Sequence, residues 1–285
     1  YGGFETGDAF ADRNPTDHVT VLSGDIDGDD NTNADGVTET ADDISGSNSN
    51  HVLIFDGGNE IGPDVDANVT SATVLDGVTV TGGQTSNDGN GGGLYCDGAN
   101  TGNECSPRLT NVVFSGNRAD DDGGAMYNNG RNGGESSPTI LNAAFSENDA
   151  GANGGAIFNN GNTFNDNPGG TSNPSITNAV FAGNNAEIRG AIYNSASGGE
   201  SSPVITNATF TGNSVGESFD GGAIYNNSLS GGDSSPAITN SILYGNGSDE
   251  IAGRSSASPT VTHSLVQGGF AGTGNIDADP QFVNA

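Results

Sequence analysis

Aliphatic and aromatic residues in this chain come in short bursts alternating with polar neighbours, and no stretch repeats them at the three-and-four spacing of a helix. Five bursts share one pattern: proline, an aliphatic residue two positions on, an asparagine two beyond that, an apolar residue three later and a second asparagine. They comprise Pro107, Leu109, Asn111, Phe114 and Asn117; Pro138, Ile140, Asn142, Phe145 and Asn148; Pro174, Ile176, Asn178, Phe181 and Asn184; Pro203, Ile205, Asn207, Phe210 and Asn213; and Pro236, Ile238, Asn240, Leu243 and Asn246. A partial copy holds Pro259, Val261, His263 and Val266, and a diverged one holds Val74, Val78 and Val80. Between them recurs Gly-Gly-small-aliphatic-aromatic-Asn, at Gly123 to Asn128, Gly154 to Asn159, Arg189 to Asn194 and Gly221 to Asn226, with Gly92 to Cys96 as a shortened form.

A repeat of about thirty residues made of short strands predicts a solenoid, one coil per copy. Each strand then pairs with its equivalents in the coils above and below, so a thin apolar interior is enough. Proline opens a strand at a corner, where its missing N–H breaks no ladder bond, and glycine supplies positive φ at the turns. Strand alternation puts Ile140 and Asn142 on one side, and Ile157 and Asn159 likewise. Aliphatic residues fill that column in every copy, which places it inside with an asparagine at the corner. Asn111, Asn142, Asn178, Asn207 and Asn240 are expected to stack as a structural amide ladder, as are Asn117, Asn148, Asn184, Asn213 and Asn246. Tyr95, Tyr127, Phe158, Tyr193 and Tyr225 should point outward as an aromatic ladder. If exposed, that ladder is a binding face for sugar rings or a neighbouring rod; the competing expectation is that long loops fold over it.

The expected fold is all-β, a single-domain right-handed parallel β-helix of about eight or nine coils with long loops on one side, a rod on the order of 40 Å. Residues 1–70 form irregular N-terminal coils or a cap with an acidic loop, 71–270 the regular repeats, and 271–285 a closing segment. Tyr1 to Phe10 is the candidate cap. Ile276 to Val283 either continues the stack or closes it.

Composition agrees with a thin interior: 31% of the 285 residues are hydrophobic and 48 are glycine, with no tryptophan. Thirty-six acidic residues against six arginines and no lysine give a formal charge of −30. That charge argues against nucleic acid and anionic membrane surfaces as partners. No window is apolar enough to span a membrane, and the opening residues lack the pattern of a signal peptide. Cys96 and Cys105 flank a loop short enough for a disulfide, which points to an oxidising compartment; free thiols are the alternative, and a zinc site is disfavoured for want of further ligands.

The paired Gly-Gly-Ala-Ile and Phe-x-x-Asn motifs, as in Gly222-Ala223-Ile224 and Phe210-Thr211-Gly212-Asn213, resemble the repeats of the chlamydial polymorphic outer membrane proteins, which are autotransporter adhesins. Tyr1-Gly2-Gly3-Phe4, the run Leu22 to Asp30, and Asn275 to Val283 are similar to phrases of bacterial parallel β-helix surface proteins of the choice-of-anchor type. The resemblance implies an exported right-handed β-helix at the cell surface, acting in adhesion or a surface layer, with this chain a segment of a longer one. It carries over no catalytic residue.

The sharpest local signal for chemistry is Asp25, Asp27, Asp29, Asn31, Asn33 and Asp35, oxygen donors at alternate positions followed by Gly36. They suit a calcium ion, and from Asn31 the register resembles an EF-hand loop continuing to Glu39 and Asp42, without the first aspartate or flanking helices. A solvated acidic loop is the rival, as it is for Asp120-Asp121-Asp122. The acidity is equally explained by life at high salt. The expected function is an extracellular or cell-surface structural or adhesive scaffold, not an enzyme. Its expected partners are copies of itself or cell-surface polymers or glycans, and its only expected cofactor is calcium. The alternative is a polysaccharide lyase or glycoside hydrolase on the same fold. Against it, lysine is absent, His18, His51 and His263 are scattered, and Arg189 and Arg254 read as surface residues.

Overall fold

A computed structural model describes residues 1–58, 68–87, 89–164, 167–216, 221–247 and 249–283. The chain is a parallel β-solenoid of about 5 turns, and among the described residues its helical content is two short 3-10 turns, Phe10–Asp12 and Ala41–Asp43. The predicted eight or nine coils are not reached as regular turns. Short strands before Leu94 and after Ile242 pair onto the stack without completing three-sided turns.

Three parallel sheets run along the stack. The largest has twelve strands, with Arg108–Ser115, Thr139–Ser146 and Ser175–Ala182 at its centre. A seven-stranded sheet runs from Leu53–Asp56 through Met126–Asn129, Ile157–Asn160, Ile192–Ser197 and Ile224–Leu229 to Ile251–Ser255. A narrow sheet of four pairs Arg118–Ala119, Asp149–Ala150, Asn185–Ala186 and Ser214–Val215. Equivalent repeat positions sit directly above one another: Leu109 pairs with Ile140, Ile140 with Ile176, and Ile176 with Ile205.

The interior is one apolar file per sheet. Phe114, Phe145, Phe181 and Phe210 are fully buried and stack face to face, with centroids 5.2, 4.8 and 4.5 Å apart. Leu94, Met126, Ile157, Ile192 and Ile224 line the opposite wall. Burying one such side chain contributes about 1.5–3 kcal/mol, and the thinness of the core leaves much of the cohesion to hydrogen bonds along the axis.

Those bonds include three asparagine columns. In the column beginning at Asn117, each side-chain Nδ2 donates to Oδ1 of the next, from Asn117 to Asn148, Asn184, Asn213 and Asn246, at 2.9, 2.9, 2.9 and 2.6 Å. Nδ2 also donates back to the preceding turn, as Asn148 does to the Phe114 carbonyl at 3.0 Å. Both amide hydrogens are thereby used, which is what a buried asparagine needs. A second buried column runs from Asn128 through Asn159 and Asn194 to Asn226 at 2.8, 2.8 and 2.9 Å.

The Asn111 column differs from its expected placement beside the inward aliphatic residues. Asn111, Asn142, Asn178, Asn207 and Asn240 all have φ between 51° and 56°. A left-handed residue breaks strand alternation, so these side chains turn out to solvent while the following Ala143, Ala179 and Ala208 turn in. Amide bonds of 3.1 Å link Asn207, Asn178, Asn142 and Asn111. Among the described residues they stop short of Asn240, which shares the backbone conformation, as does His263 at the next corner.

At the N-terminal end, Gly2 N–H donates to Asp76 O at 2.7 Å, and Val21–Ser23 pairs with Thr79–Thr81. At the C-terminal end, Ile276 bridges Leu265, its N–H donating to Ser264 O at 2.9 Å and its carbonyl accepting from Val266 N–H at 3.0 Å, so this segment continues the stack.

Candidate functional site

The disulfide between Cys96 and Cys105 closes the loop Asp97 to Glu104, with Cα atoms 5.7 Å apart and both residues fully buried. Cys96 stands one turn before Asn128 in register, so the disulfide occupies the place of an asparagine rung. The column ends there, leaving Asn128 Oδ1 without a partner among the described residues.

The aromatic column forms, but as a second core. Tyr95, Tyr127, Phe158, Tyr193 and Tyr225 stack in sequence with centroids 5.4, 5.1, 5.0 and 5.5 Å apart. Tyr127, Phe158, Tyr193 and Tyr225 are only 5–7% exposed. Asn160 Nδ2 donates to Tyr127 Oη at 2.7 Å, Asn129 Nδ2 to Tyr95 Oη at 3.1 Å, and the Arg189 guanidinium lies 4.5 Å from the Tyr225 ring centroid. Arg189 is thus part of the cover over the file. Burial also pushes the Tyr127 and Tyr193 hydroxyls above the ordinary tyrosine range. An open sugar-stacking face is therefore not what the four buried residues make, because their ring faces are taken by one another along the file and, at Tyr225, by Arg189.

The six expected calcium ligands divide. Asp25, Asp27 and Asp29 bring carboxylate oxygens within 4.8 Å of one another. Although Asp29 is exposed, local desolvation and the neighbouring Asp27, Asp25 and Asp30 push its carboxyl upward. Asn31, Asn33 and Asp35 do not join them. Asn31 Nδ2 donates to Asp43 Oδ1 at 2.7 Å, while Asn33 Oδ1 accepts from the backbone N–H of Asp35 and Val37 at 3.0 and 3.1 Å and its Nδ2 donates to Glu39. Short polar side chains in turns close onto their own backbone first, which is why the EF-hand-like spacing does not converge on one centre.

Of the run Asp120 to Asp122, the last residue is the unusual one. Its Oδ1 accepts from both the backbone N–H and Nδ2 of Asn153, at 3.0 and 2.9 Å, and its own N–H donates to Asn90 Oδ1 at 3.1 Å. Burial pushes its pKa up to about 7, against the opposing hydrogen bonds from Asn153. Asp122 serves as a rung between Asn90 and Asn153.

Another acidic group escaped notice in the sequence: Glu250, 4% exposed, receives the last amide of the Asn117 column. As a lone glutamate in a loop it carried no pattern. The three histidines do not form a constellation: His51 packs on Tyr95 with ring centroids 5.4 Å apart, and His263 sits at a corner of the Asn111 column.

The Chlamydia polymorphic membrane protein repeat family matches residues 111–129. That stretch holds the left-handed corner Asn111, the core Phe114, the rung Asn117, the glycine turn at Gly123 and the Tyr127-Asn128 pair, and its equivalents recur in the turns above. No curated protein and no solved structure gives a significant match to the chain. Among the described residues no helix is long and apolar enough to cross a membrane.

Proposed function

We propose that this chain is a non-enzymatic scaffold on the outer surface of a cell, right-handed as parallel crossovers favour, that adheres to cell-surface polymers or glycans or assembles with its own copies. The observation that carries this reading is the match of the greater part of one turn, 111–129, to a repeat family of surface proteins, in a stack whose other turns repeat the same corners and rungs. A disulfide inside the core supports an oxidising location. The dense negative charge suits a hydrated, exposed surface. Calcium is the proposed cofactor of the Asp25, Asp27 and Asp29 group, where a divalent ion would relieve like-charge repulsion.

Intact source cells, treated with external protease and probed with antibody to this chain, provide the test. Loss of the signal without lysis supports the reading; protection until the cells are opened contradicts it. Incubation of the purified chain with acidic and neutral polysaccharides, with and without calcium, tests the enzymatic alternative, which new reducing ends or unsaturated ends would support.

A further inference from the structure

We propose that a neutral polysaccharide chain binds along a groove that runs from an exposed aromatic patch, Tyr1, Phe4 and Phe10, past Arg13 and onto the outward amides of Asn111, Asn142 and Asn178. This names a ligand class for the adhesive scaffold above and rests on that reading. It places the ligand away from the buried aromatic file.

The patch is open: Tyr1, Phe4 and Phe10 are 62%, 38% and 60% exposed. Exposed clustered aromatics on an acidic, glycine-rich protein are a marker of contact with a partner. The rings are held together, with Tyr1 edge-on to Phe10 at 5.1 Å and Phe4 6.0 Å from Phe10. They are also tied to the stack. The Arg13 guanidinium lies 5.7 and 5.6 Å from the Tyr1 and Phe10 ring centroids and donates to both Asp76 oxygens at 2.6 and 2.8 Å. Asp76 in turn accepts from Asn111 Nδ2 at 2.9 Å. One connected set of contacts therefore leads from the aromatic patch to the amide column.

Two adjoining hollows of about 300 and 550 Å³ share Pro15, Thr16 and Asn111, and the larger continues past Asn142 to Asn178. Each amide in the column spends one N–H and one lone pair on its neighbours. A second N–H and a second lone pair remain, and the side chains face solvent. Such a donor and acceptor pair matches vicinal sugar hydroxyls, which both give and receive hydrogen bonds. The rungs repeat at the strand spacing of about 4.8 Å, close to one pyranose ring in an extended chain. Ala144 and Val180, the latter 45% exposed, offer the apolar surface that the C–H faces of a sugar need. Charge selects the class: the chain carries −30, and Arg13 at this groove is already paired with Asp76. An anionic polymer would be repelled from this groove.

Native-gel affinity electrophoresis through embedded xyloglucan, galactomannan, hydroxyethyl cellulose or dextran tests the proposal, with polygalacturonate as the anionic comparison. At least one neutral polymer is expected to retard the protein. Phe10→Ala and Asn178→Gly should each weaken that retardation about tenfold, a loss of roughly 1.4 kcal/mol. Phe10 is exposed and glycine accepts the left-handed corner, so the melting temperature of both variants should match the parent. No retardation by any neutral polymer, or retardation by polygalacturonate alone, overturns the proposal and leaves the surface location, tested by protease, untouched. Retardation that neither variant reduces also overturns it, while leaving adhesion elsewhere on the scaffold intact.

Discussion

Asn246 donates its backbone N–H to Glu250 Oε1 at 3.2 Å and its side-chain Nδ2 to Glu250 Oε2 at 2.6 Å. Every rung of that column points its backbone N–H and one side-chain N–H toward the next turn, so the amide dipoles add and the positive end falls at Asn246, as at the N-terminus of a helix. Register places Gly269 where the next asparagine would stand, and the Glu250 carboxylate fills the vacated rung. The exposed column runs the other way and ends on Asp76. Both donor ends of these two columns thus meet a carboxylate.

Removing that cap should loosen the C-terminal turns first. Glu250→Ala leaves two buried donors on Asn246 without acceptors and is expected to cost about 1–3 kcal/mol, measured by urea unfolding. Amide hydrogen exchange should accelerate between Ile224 and Val266 before it does near Phe114. Glu250→Gln retains one acceptor and should fall between the two.

The buried and exposed columns should respond differently to loss of one rung. Asn159→Ala strands the Asn128 donor and the Asn194 acceptor inside the protein and is expected to cost about 2–4 kcal/mol. Asn142→Gly keeps the left-handed corner and removes only solvent-facing bonds, with an expected cost below about 1 kcal/mol. Thermal or urea melts of the two variants give the comparison.

Much of this was legible from the spacing of residues. Phe114, Phe145, Phe181 and Phe210 recur at one repeat position, and a parallel stack converts equal position into contact. The outward turn of Asn142 was not, because alternation assumes extended backbone and a single left-handed residue resets it. A covered Tyr127 and Tyr193 file was one of the two sequence expectations, but not which groups meet it: Asn160 on Tyr127 and Arg189 on Tyr225 have no periodic signature. Glu250 and Asp122 act as rungs in columns otherwise built from amides, so a search for repeated asparagines passes over them. In the acidic loop, composition identified the oxygens but not that Asn33 would spend its carbonyl on Asp35 and Val37.

Asp122 gives the fold a distinct pH dependence. Its folded pKa of about 7 lies above the ordinary 3.8, so the folded state binds the proton more tightly. Stability from this group is fully present below pH 3.8 and is lost as pH rises through 7, by roughly 4 kcal/mol across the window at about 1.36 kcal/mol per unit. Asp122→Asn should leave the melting temperature unchanged at pH 4 and raise it at pH 8. An equal shift at both pH values would assign the effect to packing.

Calcium should stabilise the acidic loop if Asp25, Asp27 and Asp29 hold it. In chelator-treated protein, calcium at about 1 mM, within the range of extracellular sites, is expected to raise the melting temperature by a few degrees. Asp27→Asn should abolish the rise. An unchanged midpoint in the parent protein would remove calcium from the description.

Arg108, Thr139, Ser175, Val204, Ala237 and Thr260 lie in one register along the stack, so residues far apart in sequence are separated by only five strand spacings. Spin labels at Arg108 and Thr260, both exposed, measured by pulsed dipolar spectroscopy, should give one narrow distance distribution near about 24 Å. A broad distribution, or a distance well above 35 Å on the order of what an unstacked chain would give, would contradict the in-register solenoid on which the surface-scaffold reading stands.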